Sequence, residues 1–316
     1  MRRLLRAGSI LLLLLLNTLI LIGPLLLIAL LKLAAPNRRL RNQCSRGVMW
    51  VAETWAEIDK LIFALLTPTV WDIRGGEGLS AERSYLVVSN HQSWVDIPAL
   101  VQAFNRKTPY FKFFLKQELV WVPFLGLAFW ALDYPFMKRY SKAYLARNPH
   151  MQGKDLAITK AACERFKDLP VTVVNFLEGT RCTPLKQAQQ GSPYQHLLKP
   201  KAGGVAFTLA ALGPQLDALL DVTLVYPGNR APGFWALISG QVAKIIVDIQ
   251  TRELDPALWA GDYQGDAEFR QSVQAWVSQL WQDKDARIGQ LKAQLQAPGD
   301  ARQAAADFPR GSAGGA

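Results

Sequence analysis

Only three cysteines and three histidines occur in a chain of 316 residues, and that shortage narrows the chemistry available to it. Cys44, Cys163 and Cys182 are too few and too scattered for a disulfide framework or a zinc site, a usage that suits the reducing face of a membrane. Cys182 follows Arg181 with no histidine adjacent in sequence, so it reads as a bystander rather than a nucleophile. Acidic residues are scarce as well: 25 Asp and Glu against 36 Lys and Arg leave a formal net charge of +11. A chain this basic binds nucleic acid or an anionic membrane surface. No internal repeat is visible.

A long hydrophobic run is present. Residues Ala7 to Leu31 carry no charge and exceed the roughly 20 apolar residues needed to cross a bilayer, so they read as a membrane anchor. The run is longer than the ~7–15 apolar residues of a cleaved signal peptide, the competing reading, and no convincing small-residue cleavage site follows it. Gly23-Pro24 interrupts it and could divide it into two half-helices, which leaves open whether it spans or dips. Arg2, Arg3 and Arg6 precede it; Lys32, Arg38, Arg39, Arg41 and Arg46 follow, and the richer C-terminal flank is expected on the cytoplasmic side. Beside such an anchor, the basic excess points to lipid as the partner rather than nucleic acid.

Of the histidines, His91 has the most suggestive surroundings. Tyr85-Leu86-Val87-Val88 reads as a buried strand, and Ser93 is expected to cap a helix opening at Trp94. His91 and Asp96 then straddle a strand-to-helix turn, where the carboxylate can hold one ring nitrogen and leave the other free to take a proton. The plainer alternative is an ordinary turn histidine and a first-turn carboxylate favoured by the helix dipole. His150 lies in a polar loop and reads as solvated.

A second strand-like run, Val171 to Phe176, ends in Leu177-Glu178-Gly179-Thr180-Arg181, a turn able to approach an anion with Arg181 as a bidentate phosphate donor. Asn90-His91, four residues and Asp96, followed by this turn, resemble the NHxxxxD and F-P-E-G-T-R blocks of the glycerolipid acyltransferases, best known as lysophosphatidate acyltransferases. Trp121 to Gly126 with Phe136 to Arg139 is similar to that family's second block, and Val222 to Pro227 to its fourth. Leu177 replaces the usual proline of the third block. The resemblance spans roughly Ile58 to Ile249 with all four blocks in order.

The resemblance implies an α/β fold, a mixed sheet flanked by helices behind the N-terminal membrane anchor. It implies O-acyl transfer from acyl-coenzyme A or acyl carrier protein to a lysophospholipid, foremost 1-acyl-glycerol-3-phosphate giving phosphatidate. Another lysolipid acceptor, a lyso-aminolipid included, or a hydrolase or thioesterase using the same pair are the alternatives. His91 would be the general base, oriented by Asp96; backbone amides near His91 would stabilise the oxyanion. Arg181 and Arg139 would hold the acceptor phosphate, with Glu178, Gly179 and Thr180 shaping the pocket, and no metal or redox cofactor is implied. The setting implied is a bacterial inner membrane.

The segment Tyr110 to Lys116 mixes aromatics and lysines. It reads either as a core strand or as a groove wall, with Lys112 and Lys116 near a phosphate head group. His196 to Gly204 could bring lysines and glycine amides to an anion, or serve as a loop capping the next helix. Residues 1–48 are assigned to the anchor and basic flank, 49–296 to the catalytic domain and 297–316 to a disordered tail. Within the domain, Met49 to Thr67 is expected to form an amphipathic helix beside the membrane, and strands at 84–89, 171–176, 221–225 and 245–249 alternate with helices at 155–167 and 204–212. Phe269, Val273, Trp276, Val277, Leu280 and Trp281 make a packing stripe on a last helix.

Overall fold

The computed structural model describes residues 1–122, 125–134, 136, 137, 147, 169–228 and 230–296. Arg139, His150, Cys163, the helix expected at 155–167 and the tail after Pro298 lie outside the described residues.

Its centre is a six-stranded sheet built from β1 (Val70–Arg74), β2 (Tyr85–Ser89), β3 (Phe111–Phe113), β6 (Thr172–Phe176), β7 (Ala218–Val225) and β8 (Lys244–Arg252) in the order β1-β8-β7-β2-β6-β3. A separate parallel pair joins β4 (Leu115–Lys116) and β5 (Phe136–Met137). Every residue of β2 and β7 is buried, as expected of apolar strands covered on both faces. β7, β2, β6 and β3 run parallel, whereas β8 is antiparallel to β7. The carboxyl ends of β7, β2 and β6 therefore open side by side on one edge, the place where α/β sheets put their sites.

Helices cover both faces. Val87, Val174, Leu220 and Leu224 pack with Leu100 and Phe104 of α3 (Asp96–Phe104) and with Val51, Ala52, Ile62 and Phe63 of α2 (Arg38–Leu66). On the other face Leu86, Val88, Val173 and Leu219 meet Val205, Leu209 and Leu212 of α6 (Ala202–Leu212) and the stripe on α8 (Ala267–Gln296), where Val273, Val277, Leu280 and Trp281 are buried. The smaller helices are α4 (Leu125–Ala131), α5 (Pro184–Gln190) and α7 (Phe234–Ile238).

The hydrophobic run forms most of α1 (Arg2–Ala34), an apolar helix of 33 residues that continues through Pro24, so of the two arrangements left open at Gly23-Pro24 the unbroken helix is the one formed. The chain turns at Ala35–Asn37, where the Asn37 side chain accepts from Leu40 N at 2.8 Å, and returns as α2. This helix starts earlier than Met49, because the cap at Asn37 lets the basic flank join it; the boundary assigned at 48/49 falls inside α2. α1 buries Ala7, Ile10, Asn17, Leu25 and Ala29 and exposes leucines along its opposite side. Its ends are held: Arg3 Nη1 donates to Gln241 Oε1 at 3.4 Å, and Lys32 pairs with Asp133 just after α4.

Candidate active site

β2 ends at Ser89, and the next side chain prolongs its pairing. Asn90 Nδ2 donates to Leu224 O at 2.9 Å and Asn90 Oδ1 accepts from Leu224 N at 2.8 Å, so a primary amide stands in for one more backbone unit and pins the strand end to β7. His91 leaves the sheet from that fixed point. Its backbone is gripped on both sides, N–H donating to Glu178 Oε1 at 2.8 Å and C=O accepting from Cys182 N at 2.7 Å.

The expected pair is formed. His91 Nδ1 lies 2.7 Å from Asp96 Oδ2, which also accepts from Gln92 N at 2.7 Å and Ser93 N at 2.9 Å. Tyr226, the first residue after β7, donates its phenol to Asp96 Oδ1. Four donors thus compensate a carboxylate with no solvent exposure. With Nδ1–H directed at Asp96, the outward Nε2 is the free acceptor. Phe176, the last residue of β6, stacks on the imidazole at 4.2 Å and 20°, which fixes the plane of the ring. Ser93 does not cap a helix at Trp94: its Oγ accepts from Val95 N at 2.9 Å, and α3 opens only at Asp96, because the Gln92 and Ser93 amides turn back onto the carboxylate.

The second loop follows β6. Glu178 is fully buried, one oxygen taking His91 N and the other taking Leu198 N at 2.9 Å. Burial pushes its carboxyl up to about 7, with the nearby Asp96 charge adding and the two amide bonds opposing. Glu178 is therefore a brace between two loop backbones and does not itself face a substrate. Gly179 adopts φ +66°, and Lys201 lies across it: a Cβ there would stand 3.2 Å from Lys201 Nζ. Thr180 Oγ1 accepts from Lys186 Nζ at 2.6 Å. Arg181 is exposed, with its guanidinium 4.8 Å from the Trp94 ring centroid.

One sequence-derived position, Lys112, falls elsewhere. Phe113 stacks on Phe176, which stacks on His91, so by the alternation of a strand Lys112 points to the opposite face of β3. There it is buried, donates to Leu132 O at 2.5 Å and sits 5.8 Å from the Tyr134 ring. Burial lowers its ammonium to about 8. The groove-wall role expected for it gives way to a core position. The Lys116 side chain is outside the described residues. Burial pushes the Cys182 thiol up to about 12, in keeping with a bystander. Tyr226 and Lys186 were not singled out from sequence as site residues, whereas Lys201 lies in the His196–Gly204 segment read there as able to bring lysines to an anion. Tyr226 had one available signal, a polar aromatic at the end of an otherwise apolar strand.

A histidine–carboxylate pair thus stands at the parallel edge of an α/β sheet, beside an arginine-bearing glycine turn. Residues 71–226, from β1 to Tyr226, match the sequence profile of a family described as Acyltransferase. The chain is 24% identical over 258 residues to 1-acyl-sn-glycerol-3-phosphate acyltransferase 3 of Arabidopsis thaliana, an alignment covering 76% of this chain and 60% of that protein. It is 28% identical over 162 residues to 1-acyl-sn-glycerol-3-phosphate acyltransferase epsilon of Mus musculus, covering 47% and 42%, and 26% identical over 256 residues to lysocardiolipin acyltransferase 1 of Danio rerio, covering 75% and 60%. The chain thus spans between 42% and 60% of the length of these relatives. The crystal structure of the 1-acyl-sn-glycerophosphate (LPA) acyltransferase PlsC from Thermotoga maritima overlays with a TM-score of 0.47 at 18% identity, covering 89% of this chain and 98% of that one.

Proposed function

We propose that the protein transfers a fatty acyl group from an acyl thioester to the free hydroxyl of a lysophospholipid, with 1-acyl-glycerol-3-phosphate as acceptor and phosphatidate as product. The observation that carries this reading is the His91–Asp96 pair, with Nε2 free beside the Arg181 turn. Two of the relatives named above are 1-acyl-sn-glycerol-3-phosphate acyltransferases, which supports the acceptor.

In this mechanism His91 Nε2 takes the acceptor hydroxyl proton as the oxygen attacks the thioester carbonyl, and Asp96 balances the imidazolium that forms. The tetrahedral intermediate then collapses, the C–S bond breaks, and the imidazolium returns its proton to the departing thiolate. The oxyanion donors expected near His91 are not the amides of His91, Gln92 or Ser93, because all three are committed to Glu178 and Asp96. Arg181 and Thr180 hold the acceptor phosphate. The donor is acyl-coenzyme A or acyl carrier protein, both anionic and suited to a basic surface. The lipid-facing side of α1 seats the catalytic domain on the cytoplasmic face of a bacterial inner membrane.

Purified protein incubated with labelled acyl-coenzyme A or acyl carrier protein and lysophosphatidate should form labelled phosphatidate. His91→Ala and Asp96→Asn should each lower turnover by about 10²–10⁴-fold while the protein remains folded. Retention of more than a tenth of wild-type turnover in His91→Ala would refute the assignment, and release of free fatty acid without an acceptor would favour a thioesterase.

A further inference from the structure

Three basic side chains crowd one turn. Elsewhere on the molecule basic groups are commonly paired: Arg74 and Lys244 with Asp72, Arg287 with Asp248, Lys60 with Glu57. Around Gly179–Arg181, among the described residues, no ion pair engages Arg181, Lys186 or Lys201. Glu178, the acid closest in sequence, is buried beneath the turn with both oxygens occupied by backbone amides.

Local structure brings the three together. Thr183 caps α5 by accepting from Lys186 N at 3.3 Å, and this single turn folds Lys186 back over the loop it follows. Its Nζ donates to Thr180 Oγ1 at 2.6 Å and Arg181 O at 3.2 Å, which uses two of its three N–H bonds and leaves a third for a ligand. Because Thr180 Oγ1 accepts from the lysine, its own hydroxyl proton is free to donate to a ligand. Lys201 is tied to the same loop by its backbone N–H, which donates to Leu177 O at 2.7 Å, and its side chain passes over Gly179 where any Cβ would obstruct it. Arg181 rests one face on Trp94, so the edge of its guanidinium stays available.

We propose that Lys186 and Lys201, with Arg181, form a three-cation collar for a phosphate monoester and select the acceptor by its head-group charge; this rests on the acyl-transfer reading of the site. A monoester carries about −1.5 to −2 charges near neutral pH and presents three terminal oxygens, one for each cation. A phosphodiester brings a single charge and two such oxygens, leaving one cation unmatched and the mutual repulsion of the three less relieved. The phosphate concerned is the acceptor's; the other monoester within reach of this reaction is the ribose phosphate of a coenzyme A donor.

The test uses the full chain in mixed micelles with lysophosphatidate and, as a diester of the same acyl chain, lysophosphatidylglycerol. Lys186→Met and Lys201→Met should each raise the KM for lysophosphatidate by about ten- to a hundredfold, as loss of a charge-assisted hydrogen bond requires. The preference for monoester over diester in kcat/KM should shrink by the same factor, the donor KM should stay unchanged, and Lys186→Arg should restore most of the loss. A parallel fall with both acceptors would overturn the collar, as would a wild-type enzyme without monoester preference or a rise confined to the coenzyme A donor KM. Acylation of the diester alone would refute the collar and leave lysophospholipid acyl transfer standing; acylation of neither would refute that reading itself. Thermal melting of each variant separates these outcomes from unfolding.

Discussion

Asp96 and Glu178 are both fully buried, yet they are compensated differently. Asp96 receives an imidazole, a phenol and two amides; Glu178 receives two amides, and burial pushes it up to about 7. A carboxyl whose folded value lies above its usual 4.5 is favoured in the fold when protonated. Its contribution to stability is complete below about 4.5 and is lost as pH rises to about 7. Wild-type stability should therefore decline relative to Glu178→Gln across that window, by at most about 1.4 kcal/mol per pH unit, and run level with it above. Melting both proteins in the same micelles from pH 4 to pH 8 checks this, and parallel curves would contradict it. His91 and Asp96 were legible in the sequence because type and spacing within one turn carried the signal. The brace role of Glu178 and the phenol of Tyr226 were not, since their partners stand 87 and 130 residues away.

At the scale of elements, periodicity located β2, β6, β7, β8, α6 and the stripe on α8, all apolar enough to announce a buried face. It missed β1, whose Asp72 and Arg74 disguise a strand by pairing with each other, and α5, a short polar helix made by its Thr183 cap. The α8 stripe read as packing alone, but the helix also reaches the His91 turn. Trp281 Nε1 donates to Leu198 O at 2.8 Å; Leu198 N holds Glu178, and Glu178 holds His91 N. Lys284, also buried, donates to Val222 O at 2.5 Å in the strand beside β2. Trp281→Phe keeps most of the apolar volume and strands the Leu198 carbonyl, which should cost about 1–3 kcal/mol of stability. Slackening the brace should also lower kcat by several-fold with little change in the acceptor KM. A lowered melting temperature with unchanged kcat would confine α8 to a supporting role.

For the whole molecule, the question left open by composition is how α1 meets the bilayer, since a leucine run is equally apolar whether it spans or lies flat. Long-range contacts supply what hydropathy cannot. At 33 residues α1 is about 50 Å long, well beyond the ~30 Å hydrocarbon core. Yet Arg3 near its start touches Gln241 and Lys32 near its end pairs with Asp133, so both ends rest on one sheet domain. Midway, Asn17 Nδ2 donates to Asp59 Oδ1 at 2.8 Å and to Trp55 O at 2.9 Å, clasping α1 to α2. A helix held to the sheet domain at both ends would have to tear away from it to cross the membrane. The exposed side, with Leu12, Leu15, Ile20, Leu27 and Leu30, is instead placed to sink into a single leaflet. In a variant with Cys44, Cys163 and Cys182 replaced by serine, single cysteines at Arg2 and Asn37 should both react with an impermeant maleimide from the same side of sealed vesicles. The protein should still resist extraction by high salt, because apolar insertion rather than charge holds it. Labelling of the two positions from opposite sides would establish a span and would require α1 to leave the contacts at Gln241 or Asp133.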